Sequence, residues 1–348
     1  MAKQGILLLQ MGGPCCTANV QNFLYNLFSD PYIIQLPKFL KPYQKQFASF
    51  VSKRRAPKVM KNYEKIGGRS PILFETLCQA KALNKVLGNN YKCYIAMRYS
   101  YPFLKDTLQE MQQDNIEKLT VIPLYPQYSI ATSGSSMIEC MELFEASGFS
   151  QNIEISYIES WHDNPYYIEL IANRIKDQLE ILKNETELTL LFSAHGLPQK
   201  YVDDGDPYQK QIEDSVSLIV QRLSDDLNFR IYRDQLVSSQ FTVNYQISYQ
   251  SRVGPIKWLQ PYTDKVLEDL GLRKSCKNLI VVPISFVGDH IETLEEISIG
   301  YKELAHESGI KNFLVTRLPK ANPLLISALA SLVKKSTLKY ESLNLQSR

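Results

Sequence analysis

The apolar positions of this chain fall into short continuous runs separated by stretches of helical periodicity. Residues 278–286, NLIVVPISF, are rich in β-branched side chains and bounded by polar residues, which predicts a strand buried in a parallel sheet. Val287 and Gly288 then turn the chain into Asp289-His290-Ile291-Glu292-Thr293-Leu294-Glu295-Glu296, which reads as the first turns of a helix. Further strands are predicted at 5–10, 91–99, 119–124, 153–158, 188–192, 241–249 and 313–316, with helices between them. Such alternation implies an α/β fold whose parallel sheets are covered by helices. Two echoes point to an internal duplication: LLLQMGGP at 7–14 resembles LLFSAHGLP at 190–198, and TVIPLYPQY at 120–128 resembles IVVPISFVG at 280–288. The halves are placed at 1–165 and 166–335, and a polar tail at 336–348 is expected to fray.

Residues 31–63 break this pattern. They contain no acid, yet carry Lys38, Lys41, Lys45, Lys53, Arg54, Arg55, Lys58 and Lys61. Leu36, Phe39, Leu40, Tyr43, Phe47 and Phe50 recur among them at helical spacing. The expectation is an amphipathic helix with a basic border, its apolar stripe either part of the core or a contact for a membrane surface.

Composition narrows the class. With 348 residues and 44% hydrophobic content, the chain can build a large core or two domains. A net charge of +3 carries no nucleic-acid signature. No apolar run is long enough to span a bilayer, and MAKQGILLLQMGG enters a strand without a signal-peptide pattern, so a cytoplasmic location is expected. The six cysteines show no C-x-x-C spacing, which argues against a zinc or iron–sulfur framework.

Ligands of open α/β sheets sit beyond the carboxyl ends of the strands. There Asp289, Glu292 and Glu296 fall at i, i+3 and i+7, one acidic stripe on a helix, with His290 beside it. The plain alternative is a capping box, Asp289 as N-cap and Glu292 as its partner. Against that stands a second histidine at a strand end, His195 in SAHGLP at 193–198. Two such histidines, one next to carboxylates, form a better candidate site than either alone.

Five stretches together resemble the ferrochelatase family: MGGP at 11–14, YPQYSIATSGSS at 125–136, FSAHGLP at 192–198 with GDPY at 205–208, YQSRVGPIKWLQPYTD at 249–264, and ISFVGDHIETLEEI at 284–297. The resemblance runs from residue 6 to roughly 330 and implies two Rossmann-like halves with a porphyrin cleft between them. It implies insertion of ferrous iron into protoporphyrin IX to give protohaem, the last step of haem biosynthesis. The alternatives are the same chemistry on coproporphyrin, or a non-catalytic porphyrin or haem carrier. The family's active-site histidine falls on His195 and its essential glutamate on Glu292, both associated with the metal; His290 joins them, and Asp289 and Glu296 match its acidic path. Porphyrin-side positions would be Met11, Arg55, Tyr63, Ser70, Arg98 and Tyr99.

The residue types suit that chemistry. A neutral imidazole accepts a proton or ligates ferrous iron, and it titrates near working pH. Carboxylates bind a divalent cation and pass protons on. Met11 offers apolar contact without a hydroxyl, which favours the less carboxylated porphyrin. Iron is then a substrate and no prosthetic group is expected. The cysteine-bearing extension of cluster-containing members has no counterpart here, so no iron–sulfur cluster is expected. Expected partners are protoporphyrin IX and ferrous iron, no nucleic acid, and a weak peripheral contact with a membrane surface. Tyr249 stands where some members carry Trp.

Overall fold

The computed structural model describes residues 4–151, 153–238, 242–272 and 276–346. They group into two compact units: residues up to Trp161 together with those from Lys320 onward, and His162–Pro319.

The first unit is built on four parallel strands, β1 (Gln4–Gln10), β2 (Tyr91–Met97), β3 (Lys118–Pro123) and β4 (Glu154–Tyr157), in the order β2-β1-β3-β4. Ile6, Leu7 and Leu8 of β1 are fully buried, as a continuous apolar run between two helical layers must be. On one face Leu7, Leu9, Val121, Leu108 and Phe144 belong to a single apolar cluster.

The second unit has six strands: β5 (Glu187–His195), β6 (Arg230–Tyr232), β7 (Gln235–Val237), β8 (Thr242–Gln250), β9 (Asn278–Pro283) and β10 (Asn312–Val315). Their order is β10-β9-β5-β8-β7-β6. The parallel set β8-β5-β9-β10 repeats the plan of β2-β1-β3-β4, and β6 with β7 adds an antiparallel hairpin on its edge. The duplication extends to single hydrogen bonds. Leu124, after Pro123, donates its N–H to the Leu9 carbonyl at 2.8 Å, and Ile284, after Pro283, donates to that of Ser193 at 3.1 Å. Each turn then opens into a π-helix, Ile130–Gly134 in one unit and Glu292–Tyr301 in the other.

Several expectations need correction. The strand predicted at 278–286 stops at Pro283, and residues 284–288 form the turn. The helix carrying Glu292 and Glu296 is a π-helix, not an α-helix; Ser298 Oγ reaches back five residues to the Thr293 carbonyl at 2.7 Å and favours the wider turn. The division at 335 is displaced, because the last helix, Pro323–Gln346, belongs to the first unit. Its Leu325, Ile326, Leu329 and Val333 are buried, and Ser336 Oγ lies 3.1 Å from Thr120 Oγ1 on β3. The backbone expected to fray from 336 is helical to Gln346. Phe241, placed in a strand on the sequence, lies outside the described residues.

A further correction concerns residues 31–63. The helix comes in two pieces, a 3-10 segment Lys38–Tyr43 and an α-helix Gln44–Lys65. The α-helix buries Ala48, Ser52 and Ala56, small side chains four apart that let it pack closely on the helix Val20–Ser29. Of the apolar stripe, Phe39, Leu40, Tyr43 and Phe50 stay outside, Phe39 76% and Phe50 67% exposed, while Leu36 and Phe47 are half-buried.

Candidate functional site

β5 runs out of the sheet at His195, whose own N–H donates to Ser285 Oγ at 2.9 Å. Its carbonyl accepts from the Tyr208 hydroxyl at 3.0 Å, which gives the GDPY stretch a structural role. The next residue must be glycine: a Cβ on Gly196 would stand 2.4 Å from the Gln250 carbonyl oxygen. These contacts fix the imidazole. Nδ1 lies 2.6 Å from the Gly196 carbonyl oxygen, to which it donates, and Nε2 lies 3.3 Å from Glu292 Oε1. Phe286 stands edge-on to the His195 ring and tilted against that of His290, at 6.4 and 4.5 Å between centroids.

Glu292 is the first residue of the π-helix and binds both histidines. Its N–H donates to His290 Nδ1 at 3.2 Å, and its Oε2 lies 3.5 Å from the same nitrogen. His290 is buried, and burial pulls its pKa down against the opposing charge of Glu292, so Nδ1 stays an acceptor. Asp289 stands before the π-helix, where its Oδ1 accepts from Thr293 Oγ1 at 3.2 Å. Thr293 therefore answers Asp289, and the Glu292 carboxylate is turned to the histidines instead. The capping-box alternative does not describe this geometry. Glu296, one turn on, is held from outside the helix by Ser251, whose N–H donates to Oε1 at 3.0 Å and whose hydroxyl donates to Oε2, and from the end of the same helix by the Tyr301 hydroxyl, which donates to Oε1 at 2.9 Å.

The charges of the pair reinforce each other. Burial alone would lower the His195 pKa, but Glu292, and Glu296 behind it, raise it to about 9. Burial would raise that of Glu292, yet His195 and then His290 hold it down at about 2. The side chain of His195 is 40% exposed, so water screens the attraction in part. Glu292 thus favours the protonated form of His195, and His195 the ionised form of Glu292.

The positions expected on the porphyrin side lie in the first unit. Met11 follows β1, half-buried, in a loop held from two directions. Arg98 and Tyr99 donate their N–H groups to the Gln10 and Met11 carbonyls at 2.8 and 3.0 Å, and Ser70 donates to the Pro14 carbonyl at 2.9 Å. Arg55 is half-buried with its guanidinium 5.4 Å from the centre of the Phe28 ring; among the described residues no carboxylate pairs with it. Tyr63 is buried and Ser70 half-buried. Arg98 and Tyr99 differ from the expectation. The Tyr99 hydroxyl donates to Asp30 Oδ2 at 2.7 Å, and Arg98 pairs with Asp30 at 3.1 Å and Glu139 at 2.9 Å. Their side chains are engaged in a network with Asp30, Ser135 and Glu139. Neither Asp30 nor the side chain of Ser251 is marked as functional by any pattern in the sequence.

His195 and Glu292 offer an imidazole nitrogen and a carboxylate to a cation. Among the described residues no group of three or more His, Cys, Asp or Glu side chains is arranged to hold a metal ion. Among them, too, no helix is long and apolar enough to cross a membrane.

Comparison with known proteins gives a consistent answer. A family model described as Ferrochelatase matches residues 3–337. The chain is 44% identical to a ferrochelatase of Nostoc punctiforme over 96% of its own length and 82% of the relative's. It is also 44% identical to a ferrochelatase of a Synechococcus strain, over 96% of this chain and 94% of that one. Among solved structures, the sirohydrochlorin chelatase SirB of Bacillus subtilis, in complex with cobalt, aligns with a TM-score of 0.53 at 13% identity, covering 98% of this chain and 97% of that one. At that identity the likeness concerns the fold.

Proposed function

The chain belongs to the ferrochelatase family, and from this premise we propose that it inserts ferrous iron into protoporphyrin IX to give protohaem, the last step of haem biosynthesis. The observation that carries the reading is the His195–Glu292 pair, 3.3 Å apart at the end of β5. Each insertion releases two pyrrole protons as one divalent ion enters, so the site must exchange protons for a cation. A carboxylate whose partner is a protonated imidazole does this directly. Ferrous iron drawn to Glu292 replaces His195 as its counter-charge, and the imidazolium then loses the support that held its proton. The proton leaves by the exposed side of the ring, and Nε2 is free to accept one pyrrole proton, pass it out the same way and then accept the second. His290, kept neutral by burial, fixes Glu292 through the bond to its N–H. Glu296 and Asp289 add negative potential behind the pair and mark the path that cations and protons follow. Iron enters as a substrate, and the reaction uses no prosthetic group.

Porphyrin contacts are assigned to Met11, Arg55, Tyr63 and Ser70, with Arg98 and Tyr99 acting through the backbone they hold. Arg55 fits a propionate best, because a half-buried guanidinium without a carboxylate partner is a strong site for one. The thioether of Met11 favours protoporphyrin over coproporphyrin. A carrier would have no use for the paired charges of His195 and Glu292. The exposed aromatic stripe with its basic border supports weak peripheral contact with an anionic membrane surface by a cytoplasmic protein.

The test is anaerobic ferrous insertion into protoporphyrin and coproporphyrin in parallel, followed by loss of free-porphyrin fluorescence. Turnover of protoporphyrin well above coproporphyrin is expected. Porphyrin binding without insertion would leave a carrier in place of the enzyme.

A further inference from the structure

We infer that Asp30 is a positioning residue for porphyrin binding, its buried carboxylate setting the backbone that carries Met11 and the start of the basic apolar segment. The inference rests on the porphyrin reading given above.

The helix Val20–Ser29 ends at Asp30, and a carboxylate at that place needs no more than one N–H to serve as a stop. Tyr32 supplies it, donating to Oδ1 at 2.8 Å. The other oxygen does something else. Oδ2 accepts from the Tyr99 hydroxyl at 2.7 Å and from the Ser135 hydroxyl, and lies 3.1 Å from Arg98 Nη2. Its side chain is only 1% exposed, and Arg98 is in turn braced by Glu139 and by its own Nε–H bond to Ser135 Oγ at 3.0 Å. A buried ion pair of this kind is no gain in stability over apolar packing of the same volume, so its use lies in the geometry it imposes.

That geometry leads to the ligand loop. Arg98 and Tyr99 are neighbours in sequence, and drawing both side chains to one oxygen fixes the peptide between them. Their N–H groups then meet the carbonyls of Gln10 and Met11, and Ser100 Oγ receives the Gly13 N–H at 3.1 Å. The two loops touch so closely that a Cβ on Gly12 would stand 2.2 Å from Ser100 Oγ. A shift of 98–100 must therefore move 11–13. On its other side Asp30 offers its carbonyl to the N–H groups of Ile33 and Ile34, at 3.2 and 3.0 Å, where the segment leading to Phe39 begins.

The experiment titrates protoporphyrin fluorescence against full-length wild type, Asp30→Asn and Tyr99→Phe without iron, then measures KM for ferrous iron. Asp30→Asn keeps the size but removes the charge, and porphyrin affinity should fall about tenfold, as for one lost hydrogen bond to a charged group. Tyr99→Phe removes a single donor and no charge, and should lose about threefold. KM for iron, set by His195 and Glu292, should stay unchanged in both. Wild-type affinity in folded Asp30→Asn would overturn the inference, as would equal losses for porphyrin and iron, which mark a general loss of structure. If Asp30→Asn does not fold, Tyr99→Phe decides: an unchanged affinity overturns the positioning role. A wild-type chain that binds no porphyrin would fail the function itself, an outcome distinct from failure in the variants alone.

Discussion

The His195 imidazole lies between two acceptors, the Gly196 carbonyl at 2.6 Å from Nδ1 and the Glu292 carboxylate at 3.3 Å from Nε2. Both ring nitrogens therefore carry protons until something takes the place of one of them. On the proposed mechanism, this is the positive charge that the incoming cation replaces.

Removing the imbalance at its source should stop the reaction. His195→Ala should lower iron insertion by about 10² to 10⁴-fold, the range associated with a lost proton-transfer group. The side chain stands at a strand end, partly open to water, so the protein should still fold, with a change within about 1 kcal/mol in denaturant unfolding. Retained turnover in a folded variant would end the catalytic assignment.

Glu292→Gln separates electrostatics from capping. The carboxylate faces the histidines and not the helix start, so the amide should cost little stability and most of the rate. It should also let the His195 pKa fall back from about 9 toward its ordinary range, since Glu292 is the main cause opposing burial. An NMR titration of the imidazole would read this. A raised pKa that survives the substitution would assign it to Glu296 or Gly196.

The same pair makes a stability prediction with a definite sign. His195 has a raised pKa, so its contribution is complete below the ordinary histidine value of 6.5 and lost as pH rises through about 9. Glu292 has a lowered one, so its contribution is complete above 4.5 and lost as pH falls through about 2. The difference in unfolding free energy between wild type and Glu292→Gln should therefore be greatest between pH 4.5 and 6.5 and shrink on both sides. It will be modest, because His195 is partly exposed and screened. A difference that stays flat from about pH 2 to about pH 9 would mean that the pair is not coupled to folding.

How much of this was legible in the sequence depends on the range of the forces. The strands were, because β1, β5 and β9 are continuous apolar runs buried on both faces, a property written locally. His195 and Glu292 were placed at strand ends for the same reason. The π-helix was not, since one α-like pattern of Asp289, Glu292 and Glu296 fits either helix, and Ser298 decides by a bond back to Thr293. The role of Asp30 was not, because its partners Arg98, Tyr99 and Ser135 are far away in the chain. The last helix was misassigned for a related reason: its polar end hides a pairing with β3 through Ser336. The protonation of His195 also belongs to the fold, being set by distances that no motif contains.

Gly196 offers a steric test of the same site. A Cβ there would stand 2.4 Å from the Gln250 carbonyl, a backbone atom that cannot turn aside. Gly196→Ala should destabilise the protein by about 1–3 kcal/mol, as overpacking does. The loop that holds Nδ1 must also move, so the rate should fall beyond what the stability change explains. Normal stability and rate together would show that β5 and β8 can separate at their ends without cost to the site.

The last prediction concerns the exposed stripe of Phe39, Leu40, Tyr43 and Phe50. A helix folded to bury those side chains would have nothing left for a membrane; instead the buried face is Ala48, Ser52 and Ala56, and the aromatics face solvent. Around them Lys38, Lys41, Lys45, Lys53, Arg54 and Lys58 meet no acid between residues 31 and 63. Each cation that comes close to anionic lipid adds about 1 kcal/mol, and the aromatics add apolar burial at the interface. Neither source alone holds a protein firmly, which makes the contact weak and reversible. The full chain should therefore sediment with phosphatidylserine-containing vesicles at low salt and release at high salt, because charges are screened beyond about 8 Å at physiological strength. Phe39→Ser with Phe50→Ser should weaken sedimentation at low salt, and both sites are exposed enough to leave the fold unchanged. Insertion of iron into porphyrin presented in detergent should be unaffected by the pair. Absence of sedimentation at low salt, or binding indifferent to salt, would leave the stripe without a membrane role while the chemistry at His195 and Glu292 stands.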